Sequence, residues 1–183
     1  MATIEAVLGD ITTEHVDAIV NAANALMLGG GGVDGAIHAA AGPRLLEACR
    51  RVRNTTHRDG LAVGEAVATS AGNLPAQWVI HTVGPNRHRG QTDPALLASC
   101  FTRCLEVARE IGARSIAFPA VSAGVYGWDS ADVARIAVDA VRKDLAAHDD
   151  ADDPEAADGA IELVRFVLFS ASSLADFEAA LAD

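Results

Sequence analysis

The chain has 183 residues, half of them hydrophobic, with 21% charged residues and a net charge of −11. That length suits one domain spanning 1–183, and the composition argues against a disordered chain. No apolar stretch reaches the roughly 18 residues that a membrane span needs, and the acidic balance disfavours long nucleic acid, which needs a basic surface.

Thr3 to Leu8 alternates apolar and polar residues and predicts a strand, followed by a turn at Gly9-Asp10-Ile11-Thr12. Ala18-Ile19-Val20 is a short apolar run, which Asn21-Ala22-Ala23-Asn24 leaves. Four glycines, Gly29 to Gly32, precede an alanine-rich helix that stops at Gly42-Pro43. Pro43 opens a second helix, with Leu45, Leu46, Cys49 and Val52 on one face. Glu65 to Ala71 and Gln77 to Val83 predict two strands, the second apolar almost throughout. Thr92-Asp93-Pro94 starts a helix closed by Gly112, and Arg114 to Phe118 is the next strand. Asp129-Ser130 caps another helix, and the acidic run Asp149 to Glu155 reads as a solvated loop. Ile161 to Phe169 is a central strand, and a last helix covers about Ser172 to Leu181. The alternation of strands and helices predicts a three-layer α/β/α fold around a mixed sheet of about six strands.

In such folds ligands gather beyond the C-terminal ends of the strands. Those ends carry Gly9-Asp10, Asn21 to Asn24, Ser122 to Trp128 and Phe169-Ser170. The glycine run serves either as a flexible loop or as backbone that approaches a phosphate at a helix start. It is neither a P-loop nor a dinucleotide fingerprint, since no Gly-Lys-Ser/Thr follows and no strand directly precedes it. The loop Ala120 to Trp128 is either an ordinary strand–helix connection or a cradle of amides for a diphosphate. Asn24 offers a donor and an acceptor suited to sugar hydroxyls, or stabilises a turn. Asp34 is a partner for a hydroxyl or a water, or simply an acid at a helix start.

Five segments taken together resemble the macrodomain family: Gly9 to Thr12, Val20 to Asn24, Gly29 to His38, Val79 to Pro85 and Ala117 to Gly127. Asn24 and Asp34 look like the MacroD-type subgroup of ADP-ribosyl hydrolases. The resemblance implies that Asp10 and the Ile11 amide meet adenine, with Phe169 against its ring. It implies that Ser122, Ala123, Gly124, Val125 and Tyr126 wrap the diphosphate, and that Ala23, Gly32 and Val33 line the other side. Asn24 and Asp34 would hold the distal ribose and orient water as the catalytic pair. The implied activity is removal of mono-ADP-ribose from acidic side chains of modified proteins, with O-acetyl-ADP-ribose as a related ester substrate. Alternatives are a non-catalytic ADP-ribose reader, or a hydrolase of ADP-ribose-1″-phosphate or ADP-ribosylated nucleic-acid ends. No cofactor and no metal are expected. The sequence departs from the family pattern at Ala123, Ala39 and Trp128 and in the acidic stretch 149–158.

Other residues are assigned to structure. Cys100 and Cys104 lie four apart on one helix face without partners at zinc-ligand spacing, which predicts core packing. Cys49 falls on an apolar helix face and reads as inert, and the three cysteines fit a reducing compartment. His81 lies in an apolar strand and predicts a hydrogen-bonded core histidine. His38 is one turn beyond Asp34 and can pair with it. His57-Arg58 and His88-Arg89 mark exposed loops. The N-terminus has no basic region leading into an apolar run, so a cytoplasmic protein is expected.

Overall fold

The computed structural model describes residues 1–149 and 159–183; of the acidic stretch, 150–158 lies outside them. Six strands are found among the described residues: β1 (Thr3–Leu8), β2 (Ala18–Ala23), β3 (Ala66–Ser70), β4 (Trp78–Val83), β5 (Ser115–Phe118) and β6 (Leu163–Leu168). They form one sheet in the order β1-β6-β5-β2-β4-β3, parallel except for the antiparallel β3–β4 pair. The helices are α1 (Gly32–Ala41), α2 (Pro43–Asn54), α3 (Pro94–Glu110), α4 (Ser130–Ala147) and α5 (Ala171–Ala182). None is long and apolar enough to cross a membrane.

Strand alternation sorts the core into two layers. Val20, Ile80, Ile116, Phe118, Val164 and Phe166 face the side covered by α3, α4 and α5. There Phe101, Phe118, Phe166 and Phe177 form a chain of ring contacts with centroids 4.9–5.9 Å apart at successive steps. Ile19, Val79, Ala117 and Val167 face the opposite side, covered by α1 and α2 through Ile37, Leu45 and Cys49. Asp93 and Asp129 cap α3 and α4, each accepting a first-turn amide.

Strand ends differ from the sequence reading by one or two residues in β3, β4, β5 and β6, and one larger difference bears on the site. β2 extends three residues past Val20, so Asn21 is inside the strand and fully buried rather than in the exit loop. Its neighbour in register on β4 is His81. Continuing the alternation from Ile19, Asn21 faces the α1–α2 layer. A polar side chain is tolerated there because partners await it.

Candidate functional site

The sheet order arranges the predicted site residues along one edge. Leu8 pairs with Leu168, so Asp10 and Phe169 leave adjacent strand ends. The loop after β5 follows next, then Asn24 after β2, then Gly84 after β4. At the β1–β6 end, Phe169 is 92% exposed, and Leu8 beside it is also exposed. Such bare aromatic surface offers a flat apolar face to a ring. Asp10 Oδ1 accepts from the Thr12 amide at 2.9 Å and the Thr12 hydroxyl at 2.7 Å, starting a single 3-10 turn over Ile11–Thr13. The Ile11 side chain is buried beneath this turn.

The stretch between β2 and α1 is a folded loop, not a loose glycine tether. Asn24 Oδ1 accepts from the amides of Leu26 (3.1 Å) and Met27 (3.2 Å), while its Nδ2 donates to the Gly29 carbonyl at 3.2 Å. Met27 plugs into the core at 1% exposure, between the exposed Leu26 and Leu28. Asn24 therefore performs the turn-stabilising role. A Cβ on Gly30 would lie 3.4 Å from Asn24 Nδ2 and 3.2 Å from Asp34 Oδ2, so the two side chains flank one point. The glycines divide in purpose. A Cβ on Gly35 would lie 2.5 Å from the Gly30 carbonyl oxygen, so Gly35 lets the loop rest directly on α1. Gly31 and Gly32 face open space. Gly31 occupies the cap position of α1 without a side-chain cap, beside Val33 in the first turn. The amides there suit an anion.

The loop after β5 presents backbone. Ser122 adopts φ 68 and is buried, and the Ala123 amide is engaged by the Ala120 carbonyl at 3.2 Å. The amides of Ser122, Val125 and Tyr126 make no backbone hydrogen bond among the described residues, while Ala123 bridges Trp128 in parallel register. Val125 is 81% exposed at the tip. Residues 84–91 brace this loop. Trp128 Nε1 donates to the Pro85 carbonyl at 3.1 Å, the Arg87 amide donates to the Tyr126 carbonyl at 2.9 Å, and the Arg87 guanidinium stacks 4.4 Å over the Trp128 ring. A Cβ on Gly84 would collide with Ser122 Oγ and lie 2.8 Å from Val121 Cγ1. His88 packs against Gly127, so it supports the loop as well as being exposed.

Beneath Asp34 runs a buried polar chain. Asp34 is only 4% exposed, and its Oδ1 accepts from Asn21 Nδ2 at 2.8 Å. Asn21 Nδ2 lies 3.2 Å from His81 Nδ1, and His81 Nε2 lies 2.9 Å from Thr69 Oγ1. His38 Nε2, one helical turn from Asp34, stands 3.5 Å from the same carboxylate oxygen. Burial, with a smaller contribution from His38, holds the His81 imidazole down at about 3. Burial and then the charge of Asp34 push the Cys49 thiol up to about 11. Cys100 and Cys104 are fully buried, as core packing requires. Asn21 and Thr69 escaped the sequence reading of the site. The signal available was a polar residue at an inward position of an apolar strand, in line with His81.

A family model described as the Macro domain matches residues 20–137. A macro domain-containing protein of Streptomyces griseus is 51% identical over 98% of this chain and 94% of its own length. An O-acetyl-ADP-ribose deacetylase of Enterobacter cloacae is 53% identical over 78% of this chain and 79% of its own. The Trypanosoma brucei macrodomain in complex with ADP-ribose superposes with a TM-score of 0.83 and 39% identity, over 97% of this chain and 68% of that one. With its sheet and these relatives in agreement, the chain is a member of the macrodomain family.

Proposed function

We propose that this protein binds ADP-ribose along the C-terminal edge of the sheet and hydrolyses esters at its distal ribose. The substrates are O-acetyl-ADP-ribose and mono-ADP-ribosyl esters of acidic side chains. The observation that carries the reading is the buried Asp34 carboxylate flanking Gly30 together with the Asn24 amide, two strands along the edge from Phe169. Adenine fits against Phe169, with Asp10 and the Ile11 amide beside it. The diphosphate fits the open amides of Ser122, Val125 and Tyr126, with the Ala123 and Gly124 amides contributing less because Ala120 and the bridge to Trp128 engage them. Ala23, Gly32 and Val33 border the distal ribose.

One water is consumed, and the products are ADP-ribose and a carboxylic acid. The carboxylate is already a fair leaving group, so holding water and ribose in line supplies most of what catalysis needs. Asp34 accepts a proton from the water or from a ribose hydroxyl, and Asn24 keeps the glycine loop at the right height. Deacetylase and ADP-ribose-bound relatives support this reading.

Asn24→Ala and Asp34→Ala should each slow release of ADP-ribose from a modified acidic peptide at least tenfold, about 1.4 kcal/mol. ADP-ribose affinity, measured by calorimetry beside AMP and NAD, should fall far less for Asp34→Ala. A wild-type protein that binds ADP-ribose and releases none is a reader instead.

A further inference from the structure

Asp34 is held by an amide whose orientation depends on a buried imidazole. A carboxylate accepts hydrogen bonds and cannot donate them, so Asn21 must present Nδ2 to Asp34 rather than Oδ1. The same Nδ2 faces His81 Nδ1, so that ring nitrogen must be the acceptor. The neutral ring then carries its proton on Nε2 and donates it to Thr69 Oγ1. The Thr69 hydroxyl donates in turn to the Ser70 carbonyl at 3.1 Å. Donation runs outward from Asn21 in both directions, to Asp34 on α1 and through His81 and Thr69 to the Ser70 carbonyl on β3. The other tautomer would aim an N–H at the amide nitrogen. Relieving that contact would turn Asn21 over and set its oxygen against the Asp34 carboxylate.

A second observation separates this chain from ordinary core packing. Asn21 Oδ1 is buried without a hydrogen-bond partner among the described residues. Buried polar atoms are satisfied as a rule, and a half-satisfied amide is a poor choice where stability alone is at stake. Here both N–H groups of one amide are aimed at two acceptors, and its carbonyl is left without a donor.

We propose that His81 is a positioning residue: through Asn21 it fixes the Asp34 carboxylate in the cleft, and Thr69 selects the imidazole tautomer that makes this possible. The proposal rests on the hydrolase reading above. The groups facing His81 are Asn21 from β2, Thr69 from β3 and Cys49 from α2, with Asp34 and His38 beyond Asn21 on α1. Burial keeps both the imidazole and the Cys49 thiol uncharged near neutral pH, so the chain holds one protonation state there.

The test combines kinetics on a mono-ADP-ribosylated acidic peptide with nitrogen-15 spectra of the imidazoles. His81→Phe should lower kcat by about tenfold or more while KM and the ADP-ribose Kd stay within about twofold. His81→Asn places an amide oxygen near the position of Nδ1 and should recover kcat to within about threefold of wild type. Thr69→Val, a change of similar shape, should lower kcat about threefold with KM unchanged. The spectra should report His81 as the neutral Nε2–H tautomer from pH 5 to 8. A His81 with its proton on Nδ1 overturns the proposal. So do unchanged kcat in both His81→Phe and Thr69→Val, a loss confined to KM and affinity, or a His81→Asn variant as slow as His81→Phe. If His81→Phe fails to fold, Thr69→Val and the tautomer spectrum decide. A wild-type protein inactive on the peptide overturns the hydrolase reading and this proposal with it. An active wild type with indifferent variants overturns the positioning role alone.

Discussion

The two walls of the proposed cleft are built on opposite plans. The wall from Asn24 to Asp34 puts side chains forward and roots them in the sheet, through Asn21, His81 and Thr69. The wall from Ser122 to Trp128 puts amides forward, carries no carboxylate or lysine from Ser122 to Gly127, and is braced from outside by residues 84–91. On the proposed function, the contrast assigns each task to one wall. A diphosphate is a diffuse anion that several N–H groups hold well, so a loop of small residues suffices. A reacting water needs one oxygen in one place, and a side chain locked by buried hydrogen bonds supplies it.

The largest expected effects come from pressing on each wall where glycine permits close approach. Gly35→Ala forces a Cβ against the Gly30 carbonyl, a backbone atom that cannot turn aside. Gly84→Ala forces one against Ser122 Oγ and Val121. Overpacking of this kind costs about 1–3 kcal/mol. If the walls divide the work, Gly35→Ala lowers kcat and Gly84→Ala weakens ADP-ribose binding, each on the order of tenfold. Kinetics and calorimetry on the pair check it, and identical profiles for both variants would erase the division.

Acid should separate the walls next. His81 is held at about 3 in the folded chain against 6.5 for an ordinary imidazole. The unfolded chain therefore binds a proton below pH 6.5 that the folded chain refuses until about pH 3. This group's contribution is fully present above 6.5 and is lost as pH falls through that window, by at most about 1.4 kcal/mol per pH unit. Chemical denaturation of wild type and His81→Phe between pH 7 and 4 should converge as pH drops. Parallel curves would mean that the imidazole titrates alike in both states.

Much of this frame was legible in the sequence. The strands and helices follow from alternation, glycine stops and the Asp-Pro and Asp-Ser helix starts, and these signals are local. Strand order and the antiparallel β3 are not local, because they depend on which strand ends meet. Asn24 and Asp34 were visible as polar residues around a glycine run. Asn21 was missed because its exit-loop reading depended on where β2 stops, and three residues decided it. Of the brace, His88 was read as exposed loop and Arg87 was not singled out, since stacking on a residue some 40 positions away leaves no mark in spacing.

That brace yields the smallest and cleanest test of the second wall. Arg87→Ala removes the guanidinium from the Trp128 face but leaves the backbone bond from residue 87 to Tyr126 in place. Arg87 itself is exposed although the Trp128 ring is buried, and a contact made by a solvated cation contributes about 0.5–1 kcal/mol, or about two- to fivefold in a dissociation constant. The ADP-ribose Kd should rise by that factor with kcat unchanged, because the Asp34 wall does not touch this brace. Arg89→Ala, two residues away in the same 3-10 turn over Arg87–Arg89, is the matched control for lost positive charge near an anionic ligand. Equal losses in the two variants would assign the effect to charge, while a loss confined to Arg87→Ala at both low and high salt assigns it to the stacking that holds the loop.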